Sequence, residues 1–190
     1  MEWNASSELI AEIGASIVPV RTEAALRKVL AEDFPRDCSD LPISGGWGYT
    51  QGDAITFILD QFPIPKIVNF VSLEYHIVQK IIYEELIVFR PKDYRFAGIQ
   101  VKLDTQRMEE IDHKKYDILN FVVICWSDWH FEQLKKEWEE NLSGTHPDFD
   151  AEAHDAKRIA SQIRYEREFW FDVSDVFNRA VSSPPIPTVS

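Results

Sequence analysis

The chain has 190 residues, of which 45% are hydrophobic and 27% charged, and its twelve Phe, six Trp and six Tyr supply the large side chains of a sizeable core. Its 20 Lys and Arg against 32 Asp and Glu leave a net charge of −12, which argues against nucleic-acid binding and against docking on anionic membranes, since both need a basic footprint. No apolar run reaches the ~18–20 residues of a membrane span.

The opening Met1-Glu2-Trp3-Asn4-Ala5-Ser6 lacks the basic start and apolar stretch of a secretory signal, so a cytoplasmic location is expected. Ser6 or Ser7 is placed to cap a short helix carrying Leu9, Ile10 and Ile13, with Gly14 ending it. Ala15–Val20 reads as extended chain, with Pro19 keeping it out of a central ladder. Thr22 is a good cap for a second helix, Glu23–Asp33, with Leu26, Val29 and Leu30 as its apolar stripe and Pro35 as its stop. Residues 35–46 are dense in Pro, Asp, Ser and Gly and read as loop. Ala54–Leu59 is expected to be a strand, broken by Phe62-Pro63-Ile64-Pro65.

Residues 66–89 fit two periods. The alternation from Val71 to Tyr83 suits a strand, while Phe70, Leu73, Ile77 and Ile81 form a helical stripe. Length decides for a helix over about 69–84, because a strand that long would be unusual. Leu86–Phe89 then reads as a strand. Phe96–Gln106 and Tyr116–Trp126 read as long strands of a hairpin with a charged tip, Arg107–Lys115. Phe121–Trp126 is apolar on both faces, as a central strand is. Ser127 caps the clearest helix, Asp128–Leu142, with Phe131, Leu134, Trp138 and Leu142 on one face. A helix capped by Asp150 follows over 151–162, then a strand over Arg164–Val173 and a last turn over Asp175–Val181. These elements predict an α+β fold: one globular domain, residues 1–181, with a mainly antiparallel sheet, helices packed on it and a mobile Pro/Ser tail, 182–190.

No motif is specific enough to name an activity, and four segments carry the chemistry that there is. Gly45-Gly46-Trp47-Gly48-Tyr49-Thr50-Gln51-Gly52 could expose backbone amides to a small ligand, with Trp47 and Tyr49 as contact residues, but it lacks the lysine and helix of a phosphate loop. His146, Asp148, Asp150 and His154 are metal-ligating residue types, and Asp150 and His154 share a helix face. That cluster would suit a metal-dependent hydrolase, although Asp150 serves equally well as a helix cap. Asp128-Trp129-His130 holds an acid beside a histidine, but adjacent helical residues diverge and make no dyad.

The fourth segment is charge. Between Ser127 and Asp155 nine acidic residues stand against two lysines, a net of −7 in this segment. The leading expectation is therefore a non-enzymatic protein-interaction module that docks a basic protein through residues 127–155. Glu137, Glu139 and Glu140 would be its contacts, and an immunity or inhibitor protein is one version. No cofactor is called for on this reading. The hydrolase at His146, Asp148, Asp150 and His154 and the small-ligand binder at 45–52 are its alternatives.

Overall fold

The structure, a computed structural model, describes residues 6–61, 70–141 and 144–182. Two compact units can be distinguished, each built from three stretches of chain. One comprises Met1–Val20, Ile82–Leu103 and Phe121–Arg167. The other comprises Arg21–Ile81, Asp104–Asn120 and Glu168–Ser190.

The first helix, α1 (Ser7–Ala15), starts where its cap predicts, with the Ser6 hydroxyl accepting the Leu9 amide at 3.3 Å. Residues 17–22 follow as irregular chain that buries Ile17 and Val20. Helix α2 (Leu26–Asp33) buries the expected Leu26, Val29 and Leu30 but starts three residues later than predicted. The reason is local: the Thr22 hydroxyl takes the Ala24 amide at 3.2 Å and makes a turn ahead of the helix instead of capping it.

The segment expected to be all loop holds two elements. Pro35 opens a single-turn helix, α3 (Pro35–Cys38), at the first helical position, where its missing N–H is not needed. Strand β1 (Ile43–Gly45) then pairs antiparallel with β2 (Ile55–Phe57), Gly45 opposite Ile55. Gly45 has φ +89°, and a Cβ there would lie 2.1 Å from the Ala54 carbonyl oxygen, so only glycine fits this approach. The expected breaker Phe62-Pro63-Ile64-Pro65 lies outside the described residues.

Helix α4 (Phe70–Tyr83) confirms the length argument and buries Ile77, Val78, Ile81 and Ile82. The strand expected at Leu86–Phe89 is corrected: Glu84–Val88 continue α4 as a π-helical turn. The amide of Phe89 bonds the Glu84 carbonyl at 3.0 Å, so the backbone donors of this stretch are spent on the helix and cannot serve a sheet.

Strands β3 (Phe96–Ile111) and β4 (Lys114–Ser127) are longer than predicted. The charged tip is itself strand, and the turn shrinks to Asp112-His113, both at positive φ, +50° and +64°. A two-residue turn with positive φ at both centres matches the twist of an antiparallel hairpin. Helix α5 (Asp128–Glu140) follows under its Ser127 cap, then α6 (Ala151–Ala160) under Asp150, strand β5 (Ile163–Asp172) and α7 (Ser174–Ser182). Leu142 and the tail beyond Ser182 lie outside the described residues.

The strands order as β1-β2-β5-β4-β3, with β2 and β5 parallel through Ile55 opposite Phe171. The sheet is otherwise mostly antiparallel, and the fold is α+β. β4 is flanked on both sides, as its two-faced apolar run predicts, and Ile118, Leu119, Val123 and Cys125 are fully buried. In the first unit α5 covers the sheet by setting Leu134 and Phe131 on Val122, Ile124 and Trp126. In the second unit Ala54, Tyr116 and Ile118 pack with Ile111 and Trp170.

Candidate functional site

Three places in the structure carry chemistry. The first is a cleft of about 400 Å³ in the first unit. It is lined by Tyr83 at the end of α4, Ile87 of the π turn, residues 95–99 at the start of β3 and Asp128 at the start of α5. The volume lies in the range of small-molecule sites, about 300–1,000 Å³. Gly98 lies at φ +63°, and a Cβ there would lie 2.7 Å from Phe131 and 2.8 Å from Trp126. A side chain at 98 therefore has no room, and β3 runs close over the α5 core. The Nε of Arg95 is buried, and no hydrogen-bond acceptor reaches it among the described residues.

The wall of this cleft is held from behind. Arg90 donates to the Glu85 carbonyl and to the Ser16 carbonyl, each at 2.8 Å, and its guanidinium lies 4.7 Å over the Phe96 ring. The fully buried Glu85 carboxylate accepts from Arg167 Nη2 at 3.1 Å, from Arg167 Nε at 3.3 Å and from the Tyr165 hydroxyl at 3.3 Å. Burial lowers Arg90 and raises Tyr165, and the Glu85 charge raises Tyr165 further. A buried carboxylate is tolerable only when paired and hydrogen-bonded in this way. The paired carboxylate and the Arg90 clamp fix a turn of a type that often marks functional sites. The nearby Cys125 thiol is pushed up to about 12 by burial, so it is not a nucleophile at neutral pH.

The second place, in the other unit, is a pair of buried carboxyls, Glu74 on α4 and Asp117 on β4. Burial, and then the charge of Asp117, push Glu74 up to about 8. Asp117 is also raised by burial, against the hydrogen bond of 2.6 Å that Gln106 donates to it. Tyr75 in turn donates to Gln106 at 3.2 Å.

The third place is the helical pair α5–α6. Trp138, Phe149 and His154 join the two helices, with ring centroids 5.4–5.8 Å apart. Glu137 accepts from Lys157 at 2.6 Å and lies 3.3 Å from His154 Nδ1. Burial works to raise this carboxyl, but the bonds from Lys157 and His154 outweigh it and leave it below its usual value. Glu132, Glu139, Glu140, Asp148, Asp150, Glu152 and Asp155 are all exposed.

The residues singled out from the sequence fall as follows. Glu139 and Glu140 face solvent, whereas Glu137 is turned into the α5–α6 seam. Asp150 takes the Ala153 amide at 2.9 Å as a cap. His146 lies 3.9 Å from Asp148, and His154 faces Glu137. Among the described residues no three His, Cys, Asp or Glu side chains stand together as a metal would require. Trp47 is 7% exposed and donates its indole N–H to the Ala24 carbonyl at 3.3 Å, while the Tyr49 ring packs 5.6 Å from Phe169.

The cleft was not foreseen from sequence, because Arg95 and Asp128 are separated by the whole hairpin and carry no motif. The two consecutive acids Glu84-Glu85 between apolar residues were the one available signal. Among the described residues no helix is long and apolar enough to cross a membrane. The fold class is α+β, and comparison of the chain with protein-family models, characterised proteins and solved structures found no match.

Proposed function

We propose that the chain is a protein-interaction module whose α5–α6 pair docks a basic protein partner. One observation carries the reading: seven carboxylates lie exposed on or beside two helices that pack against each other, while Glu137 is turned into the seam between them, where it bonds Lys157 and lies against His154. Trp138, 42% exposed, lies on the same helix as Glu132, Glu139 and Glu140. An aromatic anchor beside rim charges is the arrangement that gives interfaces affinity and fast association. An inhibitor of a basic enzyme or toxin is the version that fits this chemistry best.

The test uses a fluorescent arginine-rich peptide as a defined basic probe, with anisotropy read at about 50 and 500 mM salt, where the screening length falls to a few ångströms. Glu132→Lys/Glu139→Lys/Glu140→Lys should weaken binding at low salt by about tenfold or more. The control Glu12→Lys/Asp104→Lys/Glu110→Lys makes the same charge change on residues outside α5 and α6 and should retain most of it. Equal loss in both variants would show that only net charge is sensed, and the located surface would be wrong.

A further inference from the structure

The cleft beside the π turn holds two opposite charges that do not satisfy each other. Arg95 lines the cleft, its Nε–H is enclosed by protein without an acceptor, and among the described residues its guanidinium makes no ion pair. Asp128 lies in the same cleft, and among the described residues its carboxylate accepts no hydrogen bond, its backbone amide alone being tied, to the Arg95 carbonyl at 3.0 Å. Ile87 and Phe96 add apolar surface to the lining of the same cleft.

A guanidinium without an ion pair calls for an anionic acceptor, and its terminal N–H groups match a carboxylate. An unpaired carboxylate in the same cleft calls for a cation. The walls call for an apolar body. We infer that this cleft binds a zwitterionic small molecule with an apolar side chain, an apolar α-amino acid, its carboxylate on Arg95 and its ammonium on Asp128. The cleft is separate from the exposed α5–α6 face, since Asp128 is not one of the seven exposed carboxylates there. The Arg90 and Glu85–Arg167 contacts hold its wall in place, so little ordering is left for the ligand to impose.

The full chain is titrated by calorimetry with L-phenylalanine, 3-phenylpropionate and phenethylamine, which keep the same ring and remove one charge at a time. Phenylalanine should bind about tenfold or more tightly than either analogue, because each missing group leaves a protein charge unpaired. Arg95→Gln should abolish binding of phenylalanine and of 3-phenylpropionate. Asp128→Asn should bring phenylalanine down to the level of 3-phenylpropionate and leave the latter unchanged, so the inference stays testable even if the arginine variant does not fold. Amide chemical shifts at Ala97 and Gly98 locate the response. Absence of binding by all three probes, equal affinity for phenylalanine and 3-phenylpropionate, or undiminished binding in a folded Arg95→Gln chain would each overturn it.

Discussion

Glu74 is 1% exposed, and its Oε2 meets no hydrogen-bond partner among the described residues. Held up to about 8 by burial and by Asp117, it keeps its proton at neutral pH when the unfolded chain, near 4.5, has lost it. Below pH 4.5 both states are protonated and the group contributes its full stability. Between 4.5 and 8 the folded state binds the extra proton, so stability falls as pH rises, and above 8 the loss is complete. Urea unfolding at pH 5, 6.5 and 8 should show a decline on the order of 3 kcal/mol across this range, and Glu74→Gln, which cannot ionise, should flatten it. An unchanged slope in Glu74→Gln would assign the pH dependence elsewhere. Glu85 makes the contrast within one protein: it is equally buried, but Arg167 and Tyr165 surround its charge. Neither difference is visible in the residues themselves, since what separates two buried glutamates is the partner that folding delivers.

Elements were legible to the degree that their signals were local. The Ser127 and Asp150 caps, the stripe of α2 and the length of α4 were read correctly, and the first cap to one of two adjacent serines, because each depends on neighbours a few residues away. The charged stretch 107–115 misled because β3 is an edge strand, and an edge strand carries charge on its open side for the same reason a loop does. The strand expected at Leu86–Phe89 failed because Glu84, Glu85 and Leu86 are buried together in a π turn, and short apolar runs do not distinguish the two. The hairpin turn supplies an element-scale prediction. Asp112 and His113 both hold positive φ, which costs a residue with a Cβ and is free to glycine. Replacing the pair by Asn-Gly should stabilise the fold by about 1 kcal/mol, read as a higher urea midpoint with an unchanged slope. A lower midpoint would mean that the side chains at 112 and 113 contribute more than the strain they carry.

At the scale of the whole molecule, the net charge of −12 is a self-repulsion that folding must overcome. Salt should therefore raise the melting temperature at pH 8, by about 2–4 °C if screening recovers 1 kcal/mol in a chain of this length. Near the calculated isoelectric point of about 4.8 the repulsion is gone, so the same salt step should leave the melting temperature nearly unchanged. Light scattering should find the solubility minimum at that pH. A salt effect equal at both pH values would mean that screening of net charge is not its cause. Asp37, Glu137 and Asp172, all held below their usual values, set the acid limit: their stabilisation is present above the ordinary carboxylate range and is lost as pH falls below it. With Glu74 acting in the opposite direction, stability should peak at mildly acid pH.

The sequence by itself determined the α+β class, the Ser127 and Asp150 caps, the central place of β4 and the concentration of acid between Ser127 and Asp155, because composition, period and capping are properties of short stretches of chain. The tertiary structure alone decided which of those acids face water and which is turned onto Lys157. It alone brought Arg167 and Tyr165 to Glu85, set Asp117 against Glu74, and left Arg95 and Asp128 in one cleft without pairing them. Charge pairing and burial depend on residues tens of positions apart in the chain, so no local pattern could carry them.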